Sequence, residues 1–213
     1  MKQDDFITIT YPPVRHFTAD TGRICRDKHY VRSLLEVDVT DALLKLKTLR
    51  SPGMKISFLA WFIKVLSNTV SRHPPVNGVY KGRNQVVVYK DVNISTIVEK
   101  TIEGTAVPLP LVLRDVNHKT CIQINDEIQS AVNQAEMKDG ELVLGEGRNN
   151  CYLALAAALP QWFRLWVMRA FILNNPRHMQ QMMGTVMVTS LGTVGRTTAW
   201  IIPTSMHPLS IGI

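Results

Sequence analysis

The stretch GTVMVTSLGTVG, residues 184–195, sets a run of apolar and β-branched residues in front of a Ser-Leu-Gly turn. Such a run favours a strand, and its glycines favour a tight turn behind it. The strand carries one hydroxyl, that of Thr189, to its end, with Ser190 and Gly192 in the turn. A hydroxyl held there can donate to the developing oxyanion of an acyl transfer, which lowers the barrier by roughly a few kcal/mol. By pattern alone, Thr189 reads as an ordinary strand threonine.

Outward from this strand the order of elements is mixed. HYVRSLLEVDV, from His29 to Val39, reads as a strand, and Asp38 or Thr40 caps a short helix over DALLKLKTLR. Ile56 to His73 reads as a long helix, with Phe58, Trp61, Phe62, Val65, Leu66 and Val70 forming one wide buried face, stopped by Pro74-Pro75. QVVVYKD, VNISTIVEK and GTAVPLPLVLRDV read as strands, and Pro108 and Pro110 place the last of them at an edge or bulge. NHKTCIQINDEIQSAVNQAEMKDG reads as a helix closed by Gly140, and TTAWIIPTSMHPLSIGI begins with a further strand. Residues 1–27 are turn-rich and read as an arm before the core. No regular strand–helix–strand rhythm appears, so the expected class is α+β, a mixed sheet with packed helices in a single domain over residues 1–213.

Composition narrows the function classes. With 46% hydrophobic and 19% charged residues, the chain can bury a sizeable core. The longest strongly apolar stretch free of charge, residues 149–163, contains Pro160 and falls short of the ~20 residues a membrane span needs. No secretory leader is visible at Met1-Lys2-Gln3-Asp4-Asp5. Three widely spaced cysteines, Cys25, Cys121 and Cys151, suit a reducing cytoplasm, and no spacing suits a zinc ion.

The net charge of +7 is unevenly distributed: every acidic residue lies at or before Glu146, and residues 147–213 hold five arginines and no carboxylate. No general base or metal ligand of carboxylate type can therefore come from that third, and an anionic partner meets a favourable potential there. The arginines are too scattered for a nucleic-acid footprint. Any of the six histidines could serve as a base near neutral pH, but none sits in a spacing that singles it out. GEG at 145–147 opens no phosphate-binding helix.

Four stretches, in this order, resemble the catalytic domain of the 2-oxo acid dehydrogenase dihydrolipoamide acyltransferases, relatives of chloramphenicol acetyltransferase. They are LLEVDVTDALLKLK, KISFLAWFIKVLSNTVSRHPPVNG with its Pro-x-x-Asn ending at Asn77, VNISTIVEK followed by GTAVPLPLVLRDVNHKT, and MGTVMVTSLGTVGRTTAWIIPTSMHPLSIGI. The likeness covers roughly residues 28–136 and 183–213. It implies a cytoplasmic trimer with active sites between subunits, where CoA and a lipoyl group on a partner domain exchange an acyl group. It assigns Thr189 as the oxyanion donor and directs Ser190, Gly192 and Asn77 toward substrate.

In that family a histidine base lies in a His-x-x-x-Asp-Gly motif beyond the hydroxyl, and this motif occurs nowhere in the 213 residues. The expectation is therefore a C-terminally shortened chain without the base, whose assistance is typically ~10²–10⁴-fold. The alternatives are a non-catalytic structural or assembly subunit, or a protein of the membrane surface.

Residues 137–182 have no counterpart in the family pattern and read as an apolar helical insertion. In PQWFRLWVMRAFIL, Arg164 and Arg169 would stand about 140° apart on an α-helix, leaving no clean polar face. Three readings stay open: burial in the fold or a subunit interface, insertion in a membrane interface with Trp162 and Trp166 as anchors and the arginines at lipid phosphates, and a lid over an acyl-chain pocket.

Overall fold

The computed structural model describes residues 15–50, 56–102, 105–133, 159–190 and 200–213. Its centre is a four-stranded mixed sheet in the order β4-β3-β5-β6, made of β3 (Ile94–Ile102), β4 (Thr105–Leu113), β5 (Val186–Thr189) and β6 (Leu209–Gly212). β3 runs antiparallel to β4, while β5 is parallel to both β3 and β6. A small hairpin, β1 (Val79–Lys81) and β2 (Gln85–Val87), stands apart from it. Pro108 and Pro110 lie in β4, at the sheet edge among the described residues, where a missing N–H costs no ladder bond.

Strand alternation divides the sheet into two faces. Ile94, Thr96 and Val98 of β3, Leu111 and Leu113 of β4, and Val186 and Val188 of β5 share one face in register, and all are buried. Helices α3 (Phe58–Arg72) and α4 (Cys121–Asn133) contribute to the same core through Ala60, Ile63, Val70, Ile124, Ile128 and Ala131. Ser57 caps α3 by accepting from the Ala60 N–H at 3.2 Å, and its own N–H donates to Asn125 of α4 at 2.9 Å. The buried stripe of α3 is Ala60-Ile63-Ser67-Val70. Phe58, Trp61, Phe62 and Leu66 only border the core and Val65 is exposed, so the buried face is rotated from the expected one.

Asn93, just before β3, ties the layers together. Its amide accepts from the Asp115 N–H at 2.9 Å and donates to the Gln180 carbonyl at 3.1 Å. Its own carbonyl accepts from the N–H groups of Thr185 and Val186 at 3.0 and 3.3 Å. Gly184 has φ +74°, and a Cβ there would stand 2.7 Å from the Asn93 carbonyl oxygen, so a side chain is excluded where β5 begins.

Three expectations are corrected. Residues 29–39 form no strand. They are largely exposed, with Val31 99% and Leu35 77% accessible, and no sheet edge within the described residues takes them up. They lead into α2 (Thr40–Arg50), where Asp38 accepts from the Thr40 N–H at 2.9 Å. Residues 197–199 lie outside the described residues and 200–204 are not a strand either; Ile201 occupies the space a side chain at Gly212 would need.

The expected arm, residues 1–27, contains a helix, α1 (Arg15–Arg26). Its local sequence is polar, and what seats it is long-range: Asp20, fully buried, pairs with buried Arg164 of α5 (Gln161–Val167) at 2.7 Å, helped by Gln161 at 2.9 Å. Burial pushes the Asp20 carboxyl up, but the hydrogen bonds from Arg164 and Gln161 outweigh it and hold it below its ordinary value. Gly140 lies outside the described residues.

Removing one member of a buried ion pair strands the other charge. Arg164→Met is therefore expected to cost about 3–5 kcal/mol, against much less for Asp20→Asn with Arg164→Met together, read from urea unfolding of the variants.

Candidate acyl-transfer site

Thr189 ends β5. Alternation places its side chain on the face opposite Val186 and Val188, away from α3 and α4. Its register partner on β6 is Gly212, over which Ile201 packs, and its carbonyl accepts from the Ile213 N–H at 2.9 Å. Among the described residues its hydroxyl has no hydrogen-bond partner. Ser190 follows it directly, half-buried, and Gly192 lies outside the described residues.

Asn77 ends a 3₁₀ turn, Pro74–Asn77, just after α3. It is 1% accessible, yet neither Nδ2 nor Oδ1 has a partner, an arrangement that costs free energy unless something else meets those groups. No hydrogen bond joins it to Thr189 or Ser190. The fold thus brings Thr189 and Ser190 together and leaves Asn77 as a separate unsatisfied amide.

One polar cluster on the same sheet face escaped the sequence reading. Ser210 of β6 is in register with Met187, which shares the Thr189 face. Its hydroxyl lies 2.7 Å from that of Ser205, and the Ser205 hydroxyl lies 2.8 Å from His207 Nδ1. His207 Nε2 is 2.8 Å from the Met183 carbonyl, which can only accept, so the ring proton sits on Nε2 and Nδ1 accepts from Ser205. Ser205 in turn accepts from Ser210 and from the His207 N–H at 3.0 Å.

The surroundings keep this imidazole neutral. Burial lowers its affinity for a proton, the Met183 carbonyl opposes that, and the Lys28 ammonium lowers it further. Lys28 donates to the Met206 carbonyl and is itself held below its ordinary value by burial. Tyr30 donates to the Ser205 carbonyl at 2.9 Å, and burial, with Cys25 beside it, pushes its phenol up to about 12.

With both ring nitrogens engaged, His207 is a strut between α6 (Pro176–Met183) and the approach to β6, with no lone pair free for a thiol proton. The local signal was a Ser-x-His spacing with Ser210 close behind; Met183 and Tyr30 lie 24 or more residues away from the groups they meet.

The described part of that segment, residues 159–182, departs from the regular apolar α-helix expected there. From Met168 to Leu173 the helix widens to π geometry, closed by the Asn174 N–H donating to the Arg169 carbonyl at 2.9 Å. Both arginines turn to the same neighbouring segment, Arg164 to Asp20 of α1 and Arg169 to Asp27 directly after that helix. They are thus not available as lipid-phosphate ligands, and the helix is not buried all round: Trp162, Trp166 and Phe171 are 71%, 56% and 57% accessible.

Residues 28–146, more than half of the chain, match the family model of the 2-oxoacid dehydrogenases acyltransferase (catalytic domain). The chain belongs to that family. It is 37% identical over 91 residues to the dihydrolipoyllysine-residue acetyltransferase component of the pyruvate dehydrogenase complex of Mycoplasma pneumoniae; the match takes in 42% of this chain and 22% of that protein. The chain therefore spans about a fifth of the length of that curated relative.

The fold matches the truncated catalytic core of the 2-oxoacid dehydrogenase multienzyme complex from Thermoplasma acidophilum, with a TM-score of 0.60 at 16% identity over 98% of this chain and 79% of that one. It also matches the cubic core of the pyruvate dehydrogenase multienzyme complex, with a TM-score of 0.60 at 14% identity over 95% of this chain and 70% of that one. Among the described residues no three His, Cys, Asp or Glu side chains gather where they could hold a metal ion, and no helix is long and apolar enough to cross a membrane.

The neutral state of His207 has a pH signature. Its folded-state pKa is depressed, so the unfolded chain takes up the proton first as pH falls through about 6.5, and stability is lost below that value. The urea midpoint is expected to fall between about pH 7.5 and about pH 5.5, and the fall to be shallower in His207→Gln.

Proposed function

We propose that this chain is the acyl-transferring part of an acyltransferase that moves an acyl group between CoA and a thiol acceptor such as a lipoyl group on a partner domain. Family membership supports the reaction class. The single observation that supports the site is the unpartnered Thr189 hydroxyl at the end of a parallel strand, opposite Gly212.

In this reading a thiolate attacks the thioester carbonyl, a new C–S bond forms, and the carbonyl oxygen takes the negative charge of a tetrahedral intermediate. Thr189 donates its O–H to that oxygen, and collapse of the intermediate breaks the original C–S bond. Ser190 and Gly192 shape the turn against the substrate, and Asn77 offers the unsatisfied amide recorded above. The base that takes the thiol proton is not among the residues identified here: His207 is fully engaged, and no His-x-x-x-Asp-Gly occurs in the sequence.

A second reading is a family member acting as a non-catalytic assembly subunit. The domain reading, one unit over 1–213 with an insertion at 137–182, and a cytoplasmic location belong to the same proposal.

Assembly fits the exposed segment 31–49. It presents Val31, Leu34, Leu35, Val37, Leu43, Leu44 and Leu49 to solvent, an apolar surface that a second copy would cover. Its charges are Arg32, Lys45 and Lys47 against Glu36, Asp38 and Asp41, so identical copies meet without net repulsion. A homotrimer, or a higher assembly like the cubic core of the structural relative, is the form proposed.

Two measurements check these readings. If the chain transfers acyl groups from acyl-CoA to dihydrolipoamide, Thr189→Ala is expected to lower kcat by about 10²–10³-fold with little change in KM; no turnover by the folded wild-type chain favours the assembly subunit. Leu35→Asp is expected to convert the assembly to monomer in light scattering, and an unchanged mass overturns the role of residues 31–49.

A further inference from the structure

Two features of α5 and its π-helical extension are independent of the acyl-transfer site. Trp162, Phe163, Trp166 and Phe171 form a continuous ladder of rings, with centroids 5.7, 5.9 and 6.2 Å apart in succession. Three of the four rings are more than half accessible. Exposed rings that touch each other across three turns form a surface patch, which a monomer keeps only when something covers it.

The second feature is the charge around the ladder. Both arginines of this helix are turned away and neutralised by Asp20 and Asp27, so the ring face carries no charge of its own. The flanking helices supply exposed cations. Arg23 and Arg26 lie on α1, which the two ion pairs hold against α5, and Arg177 lies on α6, which is tied to the ladder by His178 Nδ1 at 3.0 Å from the Phe171 carbonyl. From residue 147 onward the sequence offers no carboxylate to offset them.

This differs from segment 31–49, where both signs alternate. A second copy docked ring face to ring face would bring cation against cation. An anionic surface with an apolar interior satisfies both features at once, since tryptophan and phenylalanine rings settle at the headgroup boundary while cations beside them meet the headgroups.

We propose that the aromatic face of residues 162–171 docks on an anionic lipid bilayer, with Trp162, Trp166 and Phe171 entering the headgroup boundary and Arg23, Arg26 and Arg177 facing the headgroups. The chain would lie on the membrane without crossing it, consistent with the short helix.

Flotation of the full chain with vesicles tests this. Vesicles of phosphatidylcholine with phosphatidylglycerol are expected to carry the protein, vesicles of phosphatidylcholine alone to carry little, and concentrated salt to release it. The double variant Trp162→Ser with Trp166→Ser, checked for an unchanged melting profile, is expected to bind at least about tenfold more weakly. In the wild type, brominated lipid is expected to quench tryptophan emission.

Absence of flotation, or flotation that the double variant leaves unchanged, overturns the proposal. So does a fall in assembly mass on making the double variant in the absence of lipid, which would assign the rings to a second copy. Arg23→Gln with Arg177→Gln offers an arm that spares the rings; anionic-vesicle binding unchanged in that variant overturns the role of the cations.

Discussion

The place of Thr189 depends on Asn93. β3 and β5 are parallel neighbours far apart in sequence, so no tight turn fixes their register. Asn93 does so with its carbonyl, which accepts from the first N–H groups of β5, while its amide holds the turn after β4 on one side and α6 on the other. A slip of one residue would move Val186 and Val188 out of the core and turn Thr189 into it. Gly184 is required because the chain passes within contact distance of this carbonyl in a left-handed conformation. The buried amide therefore selects which face of the sheet the hydroxyl occupies.

What the sequence made legible follows from how local each signal is. β3, β4 and α4 carry their patterns within one stretch, and the prolines of β4 marked the edge because a missing donor is a local fact. The segment 29–39 misled because alternation records that side chains are to be buried without recording against which chain. α1 was missed for the converse reason. Its stability rests on a carboxylate satisfied by an arginine 144 residues away, and no periodicity within Arg15–Arg26 announces that. The helix after Pro160 was read as apolar all round because α-helical geometry sets its arginines apart; the π segment, Asp20 of α1 and Asp27 just after it resolve both toward one side.

The candidate site was legible in a similar, partial way. A threonine at a strand end is common, and only the order of four family-like stretches gave Thr189 a chemical meaning. The geometry adds that its hydroxyl has no hydrogen-bond partner among the described residues and that its neighbour across the ladder is a glycine. The Ser205–His207–Ser210 cluster was invisible because its partners come from α6 and from residues 28–30. Its polar groups are mutually satisfied, so it stiffens the strand beside Thr189 in the way that complete buried networks do. Asn77 is the opposite case, a buried amide left without partners, and such a group marks where the fold still has an interaction to make.

Charge separates the uses of these two apolar surfaces among the described residues. Residues 31–49 interleave three cations with three anions, so copies related by symmetry can find opposite charges across a shared boundary. Around the aromatic ladder the Arg169–Asp27 pair cancels and Arg23, Arg26 and Arg177 leave a cationic excess, which symmetry only multiplies. Burial of apolar area would favour either surface meeting another protein, since that force has no direction. Electrostatics supplies the discrimination: one surface is compatible with itself, and the other with a partner that is anionic and apolar together.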